Sequence, residues 1–165
     1  MNYIIFAVFL ILGIVFRIIP HAPNFTPMLS IALLSGYYIK SRYSILLPIA
    51  ILLSSDILLG GNPMAHWVYL SIVAIILLGY LVKNNAKNIL LNSVLSSFIF
   101  FLVTNFGVWI TGGYAYNFSG LIQCYIMAIP FFKNTLISTV FFSMFIYCLH
   151  YLINSMLIKY QEKNY

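Results

Sequence analysis

Charged residues are scarce in this sequence, and acidic ones are almost missing. The 165 residues include two Asp or Glu and eight Lys or Arg, so only 6% of the chain is charged. A soluble domain has roughly a quarter of its residues charged, which excludes water as the main solvent of this protein. The basic residues stand singly and form no patch, so the net charge of +6 does not indicate a nucleic-acid partner.

Cysteine is also scarce, and nothing resembles a metal centre. Cys124 and Cys148 lie among apolar residues without a partner at metal-ligand spacing, so we interpret both as small core hydrophobes. His21 and His66 could ligate a metal, but no Glu or Cys accompanies them. The sequence therefore predicts no metal site and no cofactor.

A nucleophile elbow is missing as well. Ser54, Ser55 and Asp56 with a distant His66 could suggest a Ser-His-Asp hydrolase, but the Gly-x-Ser-x-Gly turn that exposes such a serine does not occur. We expect no enzyme. An intramembrane enzyme that uses His21, His66 and Asp56 is kept as an alternative.

Hydrophobic residues, by contrast, make up 63% of the chain and occur in blocks separated by short polar breaks. Blocks of this kind indicate helices that cross a hydrocarbon layer about 30 Å thick. The sequence predicts an all-α integral membrane protein with about six transmembrane helices in a single domain, residues 1–165. The predicted helices are 3–19, 28–39, 44–59, 66–82, 89–110 and 134–158, with a separate short apolar piece at 120–132.

The second predicted helix is too short to cross a bilayer. Twelve residues reach roughly 18 Å, so part of the preceding Pro-rich turn, residues 20–27, should lie at membrane depth. Irregular backbone is tolerated there only inside protein or beside a wet cavity. We expect the turn to be ordered and packed into the bundle.

The distribution of basic residues predicts the orientation. Six of them follow even-numbered helices: Lys40, Arg42, Lys83, Lys87, Lys159 and Lys163. Only Arg17 and Lys133 lie toward the other end. By the positive-inside rule, both termini should be cytoplasmic, and the Pro-rich turn should lie on the outer side.

Polar side chains gather toward the outer end of this predicted bundle. Counting 1.5 Å per residue places Arg17 roughly 21 Å and Asp56 roughly 18 Å along helices 1 and 3. Asn105 lies slightly higher on helix 5. The outer ends of other segments carry His21, Asn24, His66 and Lys133. Ionisable groups at such depth cost several kcal/mol unless they are paired or hydrated.

Two compatible interpretations of this layer stay open. Arg17 and Asp56 pair and lock helix 1 to helix 3, or they line an outward-facing cavity whose wall is the Pro-rich turn. In the second case aromatic residues would supply a stacking surface: Phe25, Trp67, Phe106, Trp109 and Tyr114.

Four segments resemble a bacterial membrane-protein family of unknown function. They are 17–27 (RIIPHAPNFTP), 54–60 (SSDILLG), 101–109 (FLVTNFGVW) and 124–136 (CYIMAIPFFKNTL). That family is similar in turn to the substrate-binding S components of energy-coupling factor (ECF) vitamin transporters, which are six-helix inner-membrane proteins. The resemblance marks a substrate-binding set: Arg17, His21, Asn24, Asp56, Asn105, Trp109, Lys133 and Asn134. The outer polar layer adds His66 to it.

The resemblance implies binding of a vitamin- or nucleobase-sized solute in an outward-facing cavity for uptake. Arg17 and Lys133 would meet anionic or carbonyl groups of that solute. Besides the lipid bilayer, the partners would be the solute and an ATP-driven coupling module, unless the protein topples alone. The chain departs from S components in helix 1, where Ile11 rather than a second alanine follows Ala7. A structural or assembly subunit without a ligand is the main alternative.

Overall fold

The computed structural model describes residues 3–20, 22–41, 43–60 and 64–163, without the side chains of residues 3–6, 17, 18, 58, 59 and 157–163. The described residues form six α-helices and no strand. The helices are α1 (Tyr3–Ile18), α2 (Met28–Ile39), α3 (Tyr43–Leu59), α4 (Ala65–Leu81), α5 (Ala86–Val108) and α6 (Phe118–Lys163). A π-helical turn, Trp109–Gly113, continues α5. The bounds of α2 match the prediction, and those of α1, α3, α4 and α5 lie close to it.

Asparagine side chains mark the starts of the two longest helices. Asn85 Oδ1 accepts a hydrogen bond from the backbone N–H of Asn88 at 2.7 Å, before α5. Asn117 Oδ1 accepts one from Gly120 N–H at 2.8 Å, at the start of α6. Each bond satisfies a backbone donor that the first helical turn would leave without a partner.

The predicted break between residues 120–132 and 134–158 is wrong, because α6 is one helix of 46 residues. Pro130 lies inside it and removes only its own N–H from the backbone ladder. The helix continues because it packs on α5 on both sides of the proline. Tyr125 OH donates to the carbonyl of Leu102 at 2.8 Å, and the rings of Phe132 and Phe101 lie 4.7 Å apart.

The core surrounds α2. Every residue from Met28 to Tyr37 is buried, and α2 contacts all five other helices. A helix that is covered on all sides needs no polar face, which explains why its sequence is mostly apolar and carries no charge.

The closest approach in the core is between α2 and α4, where two glycines meet. A Cβ on Gly36 would lie 2.2 Å from the carbonyl oxygen of Ile76, and one on Gly79 would lie 2.2 Å from that of Leu33. Small residues let helix backbones approach closely where side chains would hold them apart.

Two helical segments among the described residues are long and apolar enough to cross a membrane, Ala86–Gly113 and Phe118–Met156. The apolar stretches of α1 to α4 are shorter, from 10 to 17 residues. At 1.5 Å per residue, even 17 residues reach only about 26 Å.

The Pro-rich turn is packed against α6 over residues 25–27, as predicted, whereas Pro23 and Asn24 are exposed and are held to α6 by hydrogen bonds. Asn134 Nδ2 donates to the carbonyl of Pro23 at 3.0 Å, and the Phe25 ring meets Phe142 edge-on at 5.9 Å. Pro27 is fully buried. The turn is therefore part of the bundle rather than an external loop.

The two cysteines have different environments. Cys124 is buried, as predicted, but Cys148 is exposed, so its interpretation as a core hydrophobe is wrong. His150 lies in a packing position: its ring contacts Tyr38 at 4.4 Å, and its Nε2 is hydrogen-bonded to Asn154 Nδ2 at 2.9 Å.

Candidate functional site

A cavity of about 210 Å³ lies between α5 and α6. Each helix lines it with residues spaced i, i+3, i+4 and i+7, which is the spacing of one helix face. The α5 stripe is Phe101, Thr104, Asn105 and Val108, and the α6 stripe is Ala128, Phe131, Phe132 and Thr135. Phe100, Val68 of α4 and Asn24 of the Pro-rich turn complete the lining.

The register of the two walls is fixed beside the cavity. The thiol of Cys124 donates a hydrogen bond to the carbonyl of Asn105 at 3.3 Å. This bond connects α6 to one of the α5 residues that line the cavity. The bond from Tyr125 to Leu102 lies one turn away. The two helices therefore run antiparallel, with their stripes facing each other.

The polar side chains on both walls are held by their own helices. Thr104 Oγ1 donates to the carbonyl of Phe100 at 2.7 Å, and Thr135 Oγ1 donates to that of Phe131 at 2.9 Å. Asn105 Nδ2 donates to Phe101 O at 2.7 Å. Serine and threonine inside helices commonly bond back in this way. These bonds fix the side-chain rotamers before any ligand arrives.

Aromatic rings supply most of the remaining wall. Phe101 and Phe132 face each other across the two helices, tilted by 44°. Phe98, outside the lining, supports Phe132 at 4.9 Å. The cavity is thus an apolar space with a few fixed polar groups, which is the usual composition of a small-molecule site.

Asn24 reaches the cavity because of an unusual backbone conformation. Its φ is 61°, in the left-handed region that Asn adopts more readily than most residues. Its carbonyl accepts a bond from Thr26 N–H at 3.1 Å and one from Ser138 Oγ at 3.4 Å. The turn is thereby tied to α6, one turn beyond Thr135.

Among the predicted binding residues, the structure brings Asn24 and Asn105 together at this cavity. Trp109 lies outside it: its Nε1 donates to the carbonyl of Ala115 at 3.0 Å. Asn134 holds the Pro-rich turn through Pro23. Whether any of these residues binds a solute stays a prediction.

Three ionisable members of the predicted set, Asp56, His66 and Lys133, are not among the described lining residues. Lys133 and His66 are exposed, and the His66 ring contacts Trp67 at 5.4 Å. Asp56 Oδ2 accepts a hydrogen bond from Tyr69 OH at 2.8 Å, which joins α3 to α4.

The side chain of Arg17 and the whole of His21 lie outside the described residues, and so does the predicted pairing of Arg17 with Asp56. Gly13 of α1 contacts Ile51 of α3, since a Cβ at Gly13 would lie 2.7 Å from Ile51 Cδ1. The two helices therefore meet, and the equal depth and the pairing of Arg17 and Asp56 stay predictions.

None of the five aromatic residues of the predicted stacking surface lines this cavity, so their stacking on a solute stays a prediction. Trp67 packs instead against Gly107 of α5, where a Cβ would lie 2.3 Å from the indole. Phe106 lies between Trp67 and Trp109, with its ring centroid 5.8 Å from that of Trp67 and 5.7 Å from that of Trp109. These rings form a packing cluster at the junction of α4 and α5.

Sequence reasoning missed most of the lining, including Thr104 and Thr135. One signal was present: both walls repeat aromatic and polar residues at helical spacing, one in 101–108 and one in 128–135. The pairing of the two stripes required the antiparallel register, which the sequence does not display.

Comparison with known proteins identifies one relationship. A family model described as "Family of unknown function (DUF6580)" matches residues 1–161. The match covers α1 to α5, all of α6 except its last two residues, and every residue of the described cavity lining. No curated protein and no solved structure matches the chain.

Proposed function

Because the chain belongs to DUF6580, a family of unknown function, we propose a function from the cavity itself: the protein binds a small solute there for uptake across the bacterial inner membrane. The observation that carries this proposal is the cavity of about 210 Å³, with Asn24 and Asn105 in its lining. Mostly apolar walls with a few fixed polar groups favour binding of a small molecule.

Residence in the membrane is supported by the surface of the bundle. Large apolar side chains are exposed on every helix except α2, among them Ile57 at 80%, Leu81 at 77% and Phe118 at 75%. Exposed apolar surface on this scale is typical of contact with lipid or protein rather than water. We propose a multi-pass arrangement in which all six helices cross, with the short, buried α2 crossing inside the bundle formed by the other five.

The proposed orientation has both termini in the cytoplasm, from the placement of the basic residues. The start of α4 and the end of α5 are then outer ends, and Val68 and Val108 of the cavity lie close to them. The cavity would accept solute from outside, as in the S components of ECF transporters. Release inward would require an ATP-driven partner or a toppling motion of the bundle.

Native mass spectrometry of the purified protein tests the proposal. We expect a small molecule to co-purify, and Ala128→Phe, which fills the cavity, to remove it. Ile129→Phe is the matched control, since Ile129 is the next residue but is 55% exposed. Retention of the same molecule by Ala128→Phe would show that it binds elsewhere, and its absence from the wild-type protein would count against solute binding.

A structural or assembly subunit is the second candidate, favoured by the internal bonds of three predicted binding residues. Asp56, Trp109 and Asn134 each contact another segment of the chain. On this hypothesis, substitutions at these positions lower thermal stability, while Ala128→Phe has no transport phenotype.

A further inference from the structure

We infer that the cavity selects an uncharged, single-ring solute that carries hydrogen-bond donors, such as a carboxamide. This inference rests on the proposed function, because it assigns a ligand class to the same site. Its basis is the direction of the hydrogen bonds in the lining, together with the volume and the charge of the cavity.

The bond directions limit what the walls offer. A threonine hydroxyl has one hydrogen, and Thr104 and Thr135 both give theirs to helix carbonyls. Their oxygens can therefore only accept from a solute. Asn105 uses one amide hydrogen on Phe101 and keeps its second N–H as a donor and its Oδ1 as an acceptor. A solute without N–H or O–H groups would leave these acceptors unpaired, which is unfavourable in an apolar space.

The charge of the lining argues against an ion of either sign. No charged side chain occurs among the lining residues in the described part of the chain. An anion or a cation would lose its hydration there without gaining a counter-charge from these walls. The weakly negative faces of Phe101 and Phe132 disfavour an anion more than a cation.

The volume favours a small solute. The cavity has about 210 Å³, whereas sites for drug-sized ligands usually have about 300 to 1,000 Å³. One six-membered ring with a short substituent therefore suits it better than a larger, multi-ring molecule.

Four probes that share one ring separate these properties. They are benzamide, which is neutral and donates; benzoate, the anion; benzamidinium, the cation; and toluene, which has no polar group. Binding to the full-length protein in nanodiscs is measured by ligand-observed NMR up to about 10 mM, since fragments of this size bind weakly. We expect benzamide to bind at least about tenfold more tightly than the other three.

Two threonines provide the matched variants. Thr135→Val removes an acceptor from the cavity and should weaken benzamide binding by about two- to tenfold, the value of one hydrogen bond. Thr139→Val is the control. Thr139 is also buried on α6 and also bonds one turn back, to Thr135 at 2.7 Å, but it does not line the cavity. It should leave benzamide binding unchanged.

Several outcomes would overturn the inference. If benzoate, benzamidinium or toluene bound as tightly as benzamide or more tightly, the inferred ligand class would be wrong. Binding of any of these probes at the cavity would still support the proposed function. If Thr135→Val and Thr139→Val weakened benzamide binding equally, Thr135 would have no specific role in binding the probe. If no probe binds, the ligand class is wrong, and the proposed function is then decided by the co-purified molecule in the Ala128→Phe experiment.

Discussion

The hydroxyl of Ser35 in α2 lies 2.9 Å from the carbonyl oxygen of Ser44 in α3 and shares its hydrogen between that oxygen and the carbonyl of Ala32, also at 2.9 Å. The Ser44 carbonyl would normally bond the N–H four residues later, but this position is Pro48, which has none. A side chain from one helix thus replaces a backbone donor missing from the next, as expected where water is excluded.

Ser35→Ala should therefore lower the free energy of unfolding by about 1 to 3 kcal/mol, because it leaves a buried carbonyl without a donor. Pro48→Ala restores the helix N–H, so the loss should shrink in the double variant. The measurement is denaturant unfolding in detergent, with the exposed Ser54→Ala as the control. Additive losses would show that Pro48 and Ser35 act independently.

Gly79→Ala should destabilise the contact between α2 and α4. Alanine gains up to about 1 kcal/mol in helix propensity, but its Cβ would meet the Leu33 carbonyl, which is backbone and cannot rotate away. A net loss of about 1 to 3 kcal/mol is expected. Gly13→Ala is the comparison, because its Cβ would meet the mobile end of Ile51. Equal thermal shifts for the two variants would contradict close backbone contact.

Asn134→Ala should loosen the Pro-rich turn, since it removes the bond to the Pro23 carbonyl. Hydrogen exchange reports this at the backbone N–H of Phe25 and Thr26, which bond within the turn. Loss of about 1 kcal/mol corresponds to roughly fivefold faster exchange. Lys133→Ala, an exposed neighbour, should leave the rates unchanged. Unchanged exchange in Asn134→Ala would mean that other contacts hold the turn.

The Arg17 and Asp56 hypothesis calls for a double-mutant cycle. If the two residues pair, Arg17→Met and Asp56→Leu should each cost roughly 3 to 5 kcal/mol, and the double variant much less than their sum. Tyr69→Phe removes a second donor to Asp56 and should cost about 1.5 to 3 kcal/mol. Thermal unfolding of all four variants is the measurement, and additivity of the first two would assign them separate roles.

Reporter fusions test the proposed topology. Fusions at Tyr165 and after Lys87 should both give a cytoplasmic signal, because six of the eight basic residues fall on that side of a six-helix arrangement. A fusion after Gly113 should give a periplasmic signal. A periplasmic signal at Tyr165 would reverse the bundle and turn the cavity toward the cytoplasm.

Helix positions were predictable because the signals are local. The bounds of α2 follow from Pro27 before it and Lys40 after it, where the chain enters the left-handed region with φ 46°. The predicted break before Asn134 is wrong because it, too, was inferred from local signals alone. Pro130 and two adjacent polar residues look like a terminus locally, whereas packing on α5 keeps the helix continuous.

The cavity was only partly predictable. Asn24 and Asn105 stand out as polar residues in apolar surroundings, so counting along the helices found them. Thr104 and Thr135 do not stand out in the sequence. A threonine inside a helix commonly bonds to its own backbone, so its presence alone does not indicate a cavity. Among so many aromatic residues, only the register between α5 and α6 distinguishes Phe101 and Phe132 from the packing cluster around Trp67.

The complete burial of α2 has a consequence for the order in which the chain folds. Ser30 of α2 donates to the carbonyl of Thr139, 109 residues later, at 2.8 Å. During synthesis, α1, α3, α4 and α5 can assemble around α2 while this hydroxyl has no acceptor on α6. Contacts over so long a separation form late and slowly. A nascent chain that stops before Thr139 therefore keeps one side of its central helix uncovered.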